Sequence, residues 1–301
     1  MCKGLFDALP AEAAKAGATV SALAVRAPAP VPAAMPASLP RSFGALDLEF
    51  RKQDGVTRAH RTYQQGVLRV RFPNVPAGAP PEAVLINTAG GLTGGDRLAM
   101  AVTLAEGAAA TLTTQAHEKV YRASLGTAAI VADVMIGAGA SLDWLPQPTI
   151  LFDRAHLSRR TEVALAADAR LLAVEAVIFG RMAMAEVVAS GALNDEWVIR
   201  RAGRLIHFDR FALEGGITGM LARPSVLDGH AAMATIRHVA PDAGARLEDA
   251  RALLGEDGAA SAWNGMLLAR IAAKDGHHLC DVLARLLPGL RGCPLPAIWT
   301  I

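Results

Sequence analysis

Between residues 43 and 240 apolar and polar side chains alternate with a period of two. In GALDLEF, Leu46, Leu48 and Phe50 alternate with Asp47 and Glu49; in VLRVRF, Leu68, Val70 and Phe72 alternate with Arg69 and Arg71. Strict alternation is the signature of a strand with one buried face. Stretches at 102–104, 130–136, 161–165, 197–199 and 205–208 behave alike, and Gly, Asn or Asp separates them at short intervals. No long helical period occurs before Pro241. Beyond it the period changes. Leu247, Ala250, Leu253 and Leu254 fit one helical face, and Leu279, Val282, Leu283, Leu286, Leu287 and Leu290 follow an i, i+3, i+4, i+7 spacing. That second helix is predicted to stop at Pro288-Gly289, and GMLLARIAA between the two reads as a buried strand. The pattern predicts a β body closed by two C-terminal helices.

Three segments share a small-residue turn before a leucine-centred strand. Ala110-Thr111-Leu112, Ala140-Ser141-Leu142 and Ala169-Arg170-Leu171 stand 30 and then 29 residues apart. A period of that size suits a stacked β unit, which makes the expected fold mainly β, with β-helix-like stacked sheets. Residues 27–40, APAPVPAAMPASLP, hold five prolines in fourteen positions. Proline fixes φ and removes a backbone donor, so this segment reads as a polyproline-like tether. Residues 1–42 are accordingly expected to be an Ala/Pro-rich mobile extension, and 43–301 the folded body.

Composition narrows the function. Of 301 residues, 52% are hydrophobic and 19% charged, which excludes a disordered chain. A net charge of +2 makes no electrostatic case for nucleic acid or an anionic membrane. No uncharged apolar run reaches the length of a membrane span. Cys2, Cys280 and Cys293 form no CxxC pair, and Asp7, Glu12 and Lys15 interrupt any apolar leader core, so a reducing cytoplasm is the expected location. A mean hydropathy of +0.29 predicts apolar surface that a partner covers, and poor solubility without it.

The densest motif is NTAGGLTGGD at 87–96, after an apolar strand at 83–86. It has four glycines in six residues. It ends in Asp96-Arg97 instead of the Lys-Ser/Thr of a nucleotide loop, and no helix follows to aim its dipole at a phosphate. It reads as a tight turn joining β layers. His117-Glu118-Lys119-Val120-Tyr121-Arg122 could hold a general base, but a lone histidine favours a polar patch at a strand end. Asp143-Trp144-Leu145-Pro146-Gln147-Pro148 reads equally as a rigid edge turn or an exposed aromatic anchor. Asp143, Asp153, Glu175 and Glu186 are placed on successive strands, where they would be solvated, line a polar passage, or do glycoside chemistry. His277-His278-x-Cys280 is the one compact soft-ligand cluster, a candidate surface metal site. His207 and Asp209 share a strand face.

In order, residues 87–98 (NTAGGLTGGDRL), 112–122 (LTTQAHEKVYR), 142–152 (LDWLPQPTILF), 179–186 (FGRMAMAE) and the closing Trp299-Thr300 resemble the urease accessory protein family UreD, also called UreH. Three places depart from the family pattern: Gln65-Gly66-Val67-Leu68 replaces a Gly-Pro-Leu step, Ala185 replaces a glycine, and Leu295-Pro296 replaces Pro-Arg. The resemblance implies a non-enzymatic scaffold that binds UreF, which recruits the GTPase UreG. The assembly docks on urease apoprotein and lets nickel reach its metal site. No tightly bound cofactor is implied, only nickel in transit through an internal tunnel, with Asp143, Glu175 and Glu186 as lining candidates. Two other functions fit parts of the sequence. One is a β-solenoid glycan hydrolase or lyase using the strand carboxylates, with Asp153 and Glu186 the two to test. The other is a nickel carrier using His277, His278 and Cys280.

Overall fold

A computed structural model describes residues 41–181, 184 and 186–300. The expected extension therefore lies, except for Arg41 and Ser42, outside the described residues, as does the Ala185 departure. The chain opens with β1 (Phe43–Gln53), β2 (Val56–Gly66), β3 (Leu68–Arg71), β4 (Glu82–Asn87), β5 (Arg97–Leu104) and β6 (Ala109–Thr114). It continues through β7 (Glu118–Val120), β8 (Ala128–Ile136), β9 (Ser141–Leu145), β10 (Thr149–Leu151), β11 (His156–Leu165) and β12 (Arg170–Phe179). Then come β13 (Gly191–Arg201), β14 (Arg204–Gly215), α1 (Ile217–Leu221), β15 (Ala232–Val239), α2 (Leu247–Leu254), β16 (Gly258–Trp263), β17 (Met266–Ala273) and α3 (Gly276–Arg291).

From β4 to β13 the chain coils. It crosses between two sheets at each step, so that β5, β8, β11 and β13 pair in parallel in the first sheet and β4, β6, β9 and β12 in the second. A short third strip closes one side: β7 pairs with β10, β10 with the end of β12, and Leu92 bridges to Val120. Antiparallel strands finish each end of the stack. The first sheet runs β14-β13-β11-β8-β5-β1-β2 and the second β16-β17-β15-β12-β9-β6-β4-β3. This is the stacked β arrangement that the periodicity predicts.

The internal repeat is present with a corrected register. Ser141 pairs with Arg170, so Ala140 and Ala169 are equivalent as aligned. Ala109, however, pairs with Ser141, which makes Ala108 the counterpart of Ala140 in place of Ala110. The slip is two residues and so preserves which side chains point inward. Ala108, Ala140 and Ala169 are all fully buried.

Alternation sets the layers. In β8 every second side chain of AAIVADVMI is buried between the sheets. β12 is apolar at nearly every position because both of its faces are covered. Leu171, Ala173, Val177 and Phe179 face the core between the sheets, whereas Leu172, Val174, Ala176 and Ile178 join a second core under α2 and α3. α3 runs through Pro288 to Arg291, past the predicted stop. Continuing the helix buries Leu290 and brings Arg291 within 2.8 Å of Asp143, and Gly292 then ends it in a left-handed conformation, donating to the Pro288 carbonyl at 2.9 Å. β2, exposed along almost its whole length, carries no apolar alternation and was not legible as a strand.

Candidate functional site

Some inward positions of these strands are charged. Arg159 on β11 follows Leu157 and precedes Thr161 on the inward face, and Asp195 on β13 lies between Leu193 and Trp197. Glu175 reaches the same space from β12 in the opposite sheet. Arg159 Nη1 stands 2.5 Å from Glu175 Oε1, and its Nη2 stands 2.7 Å from Asp195 Oδ2. Nη1 also donates to Thr149 Oγ1 at 3.0 Å. Farther along, Arg237 on β15 donates to Asp209 on β14 at 2.8 Å, and Arg270 on β17 reaches the other oxygen of Asp209 at 2.7 Å. Arg237 also lies 4.5 Å over the Trp197 ring and donates to His207 Nε2 at 3.3 Å. A line of ion pairs thus ties one sheet to the other through an apolar core.

Beside the Arg159 end lies a cavity of about 280 Å³, walled by Leu98, Met100, Ile130 and Ala132 from the first sheet and Leu68, Leu85, Leu112 and Trp144 from the second. Its polar lining includes Glu175, Arg159, Thr149 and Glu118. Glu118, on β7, accepts from Asn87 Nδ2 at 3.1 Å. Burial pushes its carboxyl up to about 7, against the Asn87 hydrogen bond and the charge of Arg159. Burial likewise pushes Glu175 up to about 8, with Arg159 opposing. His207 goes the other way, down to about 4, because burial and then Arg237 disfavour its cation.

Of the carboxylates singled out in the sequence, Glu175 alone faces this cavity. Asp143 points to the other side of the second sheet, where Arg291 holds it and also donates to Thr111 Oγ1 at 3.1 Å. Asp153 and Glu186 are not on strands. They sit in loops, and Asp153 N donates to Glu186 Oε1 at 3.4 Å. His277 is on the exposed side of α3, 3.7 Å from Asp281, while His278 turns to Asp257 at 2.6 Å. Cys280 is half-buried, and burial pushes its thiol up. Among the described residues no three His, Cys, Asp or Glu side chains are grouped to hold a metal ion. Trp144 is neither exposed nor at a sheet edge: its parity with Leu142 turns it inward on a central strand, against the cavity.

The glycine-rich loop joins β4 in one sheet to β5 in the other, as a layer-crossing turn. A side chain on Gly91 would strike the Tyr121 ring at 2.4 Å and the Lys119 carbonyl at 2.7 Å, and one on Gly94 would strike the Leu125 carbonyl at 2.3 Å. Asp96 pins the turn, accepting from Ser42 N at 2.7 Å and Thr93 N at 2.8 Å. Gly91 and Gly94 thus serve close approach to the neighbouring chain, whereas Gly90, with open space around it, serves the left-handed turn at φ +74°.

Over residues 42–300 the sequence matches the family described as UreD urease accessory protein. The chain belongs to the UreD family. It is 47% identical over 263 residues to the urease accessory protein UreD of Rhizobium leguminosarum bv. viciae, spanning 87% of this chain and 96% of that protein. It is 45% identical over 266 residues to UreD of Brucella suis, spanning 86% and 93%. To UreD of Agrobacterium fabrum it is 44% identical over 249 residues, spanning 82% and 87%. Four of the blocks that carry the UreD resemblance meet at one corner of the stack. Tyr121 donates to the Gly90 carbonyl at 3.2 Å and packs edge-on against Phe152 at 5.0 Å, and Arg181 lies 4.5 Å over the Phe152 ring. Among the described residues no helix is long and apolar enough to cross a membrane.

Glu118 belongs to the polar patch that the sequence marks at 117–122, whereas Arg159, Asp195 and Arg237 stand out in no motif. The available signal was parity: on a strand whose alternate residues are apolar, a charge at an inward position has to find a partner.

Proposed function

We propose that this chain is a non-catalytic cytoplasmic scaffold of urease maturation. It acts with UreF and UreG homologues on urease apoprotein, UreG supplies GTP hydrolysis, and nickel is cargo that moves through the cavity between the sheets. The observation that carries this reading is the pair of carboxyls, Glu118 and Glu175, facing one cavity whose walls are otherwise largely apolar. A hard or borderline cation meets oxygen donors there one after another, and each offers weak contact, which suits transit more than storage. Arg159, paired with Glu175 and near enough to act on Glu118, keeps the passage from accumulating negative charge.

The glycan-hydrolase alternative loses ground to the same geometry. Asp153 accepts from Ser190 N at 3.0 Å, and Glu186 is paired with Arg181 at 2.7 Å, so both carboxylates are committed to holding loops.

The test is co-expression of urease with its full accessory set in a host lacking them, with nickel per urease and urease activity as readouts. Deleting this chain should abolish activation, and Glu118→Gln with Glu175→Gln should lower nickel content and activity in parallel while the accessory complex still co-purifies. Undiminished activation after deletion refutes the scaffold, and undiminished nickel loading in the double variant refutes the passage.

A further inference from the structure

On the outside of the corner where the family blocks meet is an open pocket of about 420 Å³, lined by Tyr121, Arg122, Phe152, Asp153, Arg154 and the Arg181–Glu186 pair. Three guanidinium groups face two carboxylates. Arg181 is tied to Glu186 at 2.7 Å and Arg154 stands 3.4 Å from Asp153. The Arg122 side chain is exposed and has no ion-pair partner among the described residues. Exposed apolar side chains stand close by in the chain: Tyr121 is 40% exposed, Leu125 55%, Met184 68% and Val187 63%.

The backbone adds a second observation. Arg154 has φ +59°, a left-handed conformation that a long side chain enters at a cost. The other described non-glycine residues with positive φ are Asp54, Ala202, Asp228 and Asn264, and each directly precedes a glycine in a tight turn. Arg154 precedes Ala155. It is held there by its own N–H to the Ser190 carbonyl at 2.8 Å and by Ala123 N donating to its carbonyl at 2.9 Å. A position that glycine would fill without strain carries an arginine whose side chain lines the pocket. Strain of this kind persists where the side chain is used.

We infer that this pocket is a docking site for a partner protein, and that it takes a segment presenting a carboxylate beside an aromatic or aliphatic side chain. The carboxylate is received by Arg122 and Arg154, whose forked donors match it in two-point geometry. The apolar neighbour packs on Tyr121 and Phe152. Excess positive charge on the pocket selects an acidic segment and rejects a basic one. Arginine and tyrosine around a small pocket are also the residues that dominate binding energy at protein interfaces. The inference rests on the scaffold reading, since it names the surface through which a partner is held.

The experiment uses the full chain, tagged and co-expressed with urease apoprotein and the UreF and UreG homologues, with recovery of each read after capture. Arg122→Glu and Arg154→Gly should each lower recovery of the same one of these proteins by about tenfold, while Arg122→Lys keeps most of it. Arg154→Gly removes the strained conformation, so its melting temperature should equal or exceed that of the wild type. Loss of recovery with a lowered melting temperature in Arg154→Gly assigns the residue a structural role and overturns the inference. Wild-type recovery of all three proteins by both variants overturns it as well. A pocket filled by a second copy of this chain would show as a dimer that Arg122→Glu splits with partner recovery intact, which is a third refuting result. If the wild-type chain captures none of the three, the scaffold reading fails and this inference with it.

Discussion

Replacing Arg159 by Met tests whether the charged seam holds the two sheets together. Arg159 is 6% exposed, and its guanidinium meets Glu175 at 2.5 Å, Asp195 at 2.7 Å and Thr149 at 3.0 Å. Each ion pair is worth roughly 4 kcal/mol or more in gross Coulomb energy at an effective dielectric near 20. Most of that is offset by the cost of taking the charges out of water, so the pairs add little net stability over an apolar filling. Removing only the cation is different, because two carboxylates then face each other in the core. That should cost about 3–5 kcal/mol, or on the order of 10 °C in melting temperature for a body of this size. Urea unfolding followed by the fluorescence of the buried Trp144 and Trp197 measures it. Because the abandoned carboxyls then hold a proton in the folded state, the cost should be smallest at acid pH and grow as pH rises. The triple variant Arg159→Met, Glu175→Gln, Asp195→Asn should recover most of the loss. If it is no more stable than Arg159→Met alone, or if Arg159→Met costs less than about 1 kcal/mol, the seam is not an ion-pair network of the kind described.

Glu118→Gln should separate from the wild type only above the ordinary carboxyl range. Burial raises the folded-state value from 4.5 to about 7, so the protonated form's contribution is complete below 4.5 and is lost as pH climbs through 7. Near pH 4.5 the two proteins should unfold alike, and above 7 the Gln variant should be the more stable by up to about 3 kcal/mol, less whatever solvent reaches the cavity mouth. Comparing the pair cancels His207 and His238, whose depressed values remove stability as pH falls from 6.5 toward 4. At the other face of the second sheet, Arg291→Ala strips Asp143 and Thr111 of their donor. It should cost about 2 kcal/mol and speed amide exchange in the last turns of α3 before it does so in the sheets.

Much of the fold was readable because a period of two states which side chains share a face, and that holds whatever the tertiary context. The same logic could have located Arg159 and Asp195, whose inward parity is set by Leu157 and by Leu193 and Trp197; Glu175 is marked only as a carboxylate on a strand, because β12 is buried on both faces and shows no alternation. β2 was illegible because an exposed edge strand has no apolar face to alternate. Pro288 misled because a proline in a helix costs one hydrogen bond, and the burial of Leu290 and the Arg291–Asp143 pair outweigh it. The outer pocket was hidden for a topological reason. Tyr121 and Asp153 are 32 residues apart and Asp153 and Glu186 are 33 apart, about one turn of the coil, so the chain brings them to one corner only once the register between successive turns is set. The repeat recognised in the sequence contained that information. Tracing equivalent loop positions along it, and not only equivalent strand positions, leads to the pocket.

The narrow strip of β7 and β10 joins the two sites. Glu118 on β7 lines the interior cavity, and Tyr121 and Arg122, immediately after that strand, line the outer pocket. Thr149 on β10 holds Arg159 inside, and Phe152 to Arg154, just beyond it, form the outer wall. Three residues of extended chain span only about 10 Å. A partner segment seated on Arg122 and Arg154 is therefore within a few residues of the Glu118 carboxyl that lines the cavity, with the hydrogen-bonded strip of β7 and β10 between them. Strain applied to Arg154 by a bound carboxylate acts on a backbone that is bonded to Ala123 and Ser190. On the docking inference, then, occupancy of the pocket and the ionisation of Glu118 are coupled. Capture of the partner by the wild type and by Glu118→Gln should differ in pH dependence between 5 and 8, with Arg122→Glu abolishing the difference. Identical profiles for the three proteins would show that the strip transmits nothing and that pocket and cavity act independently.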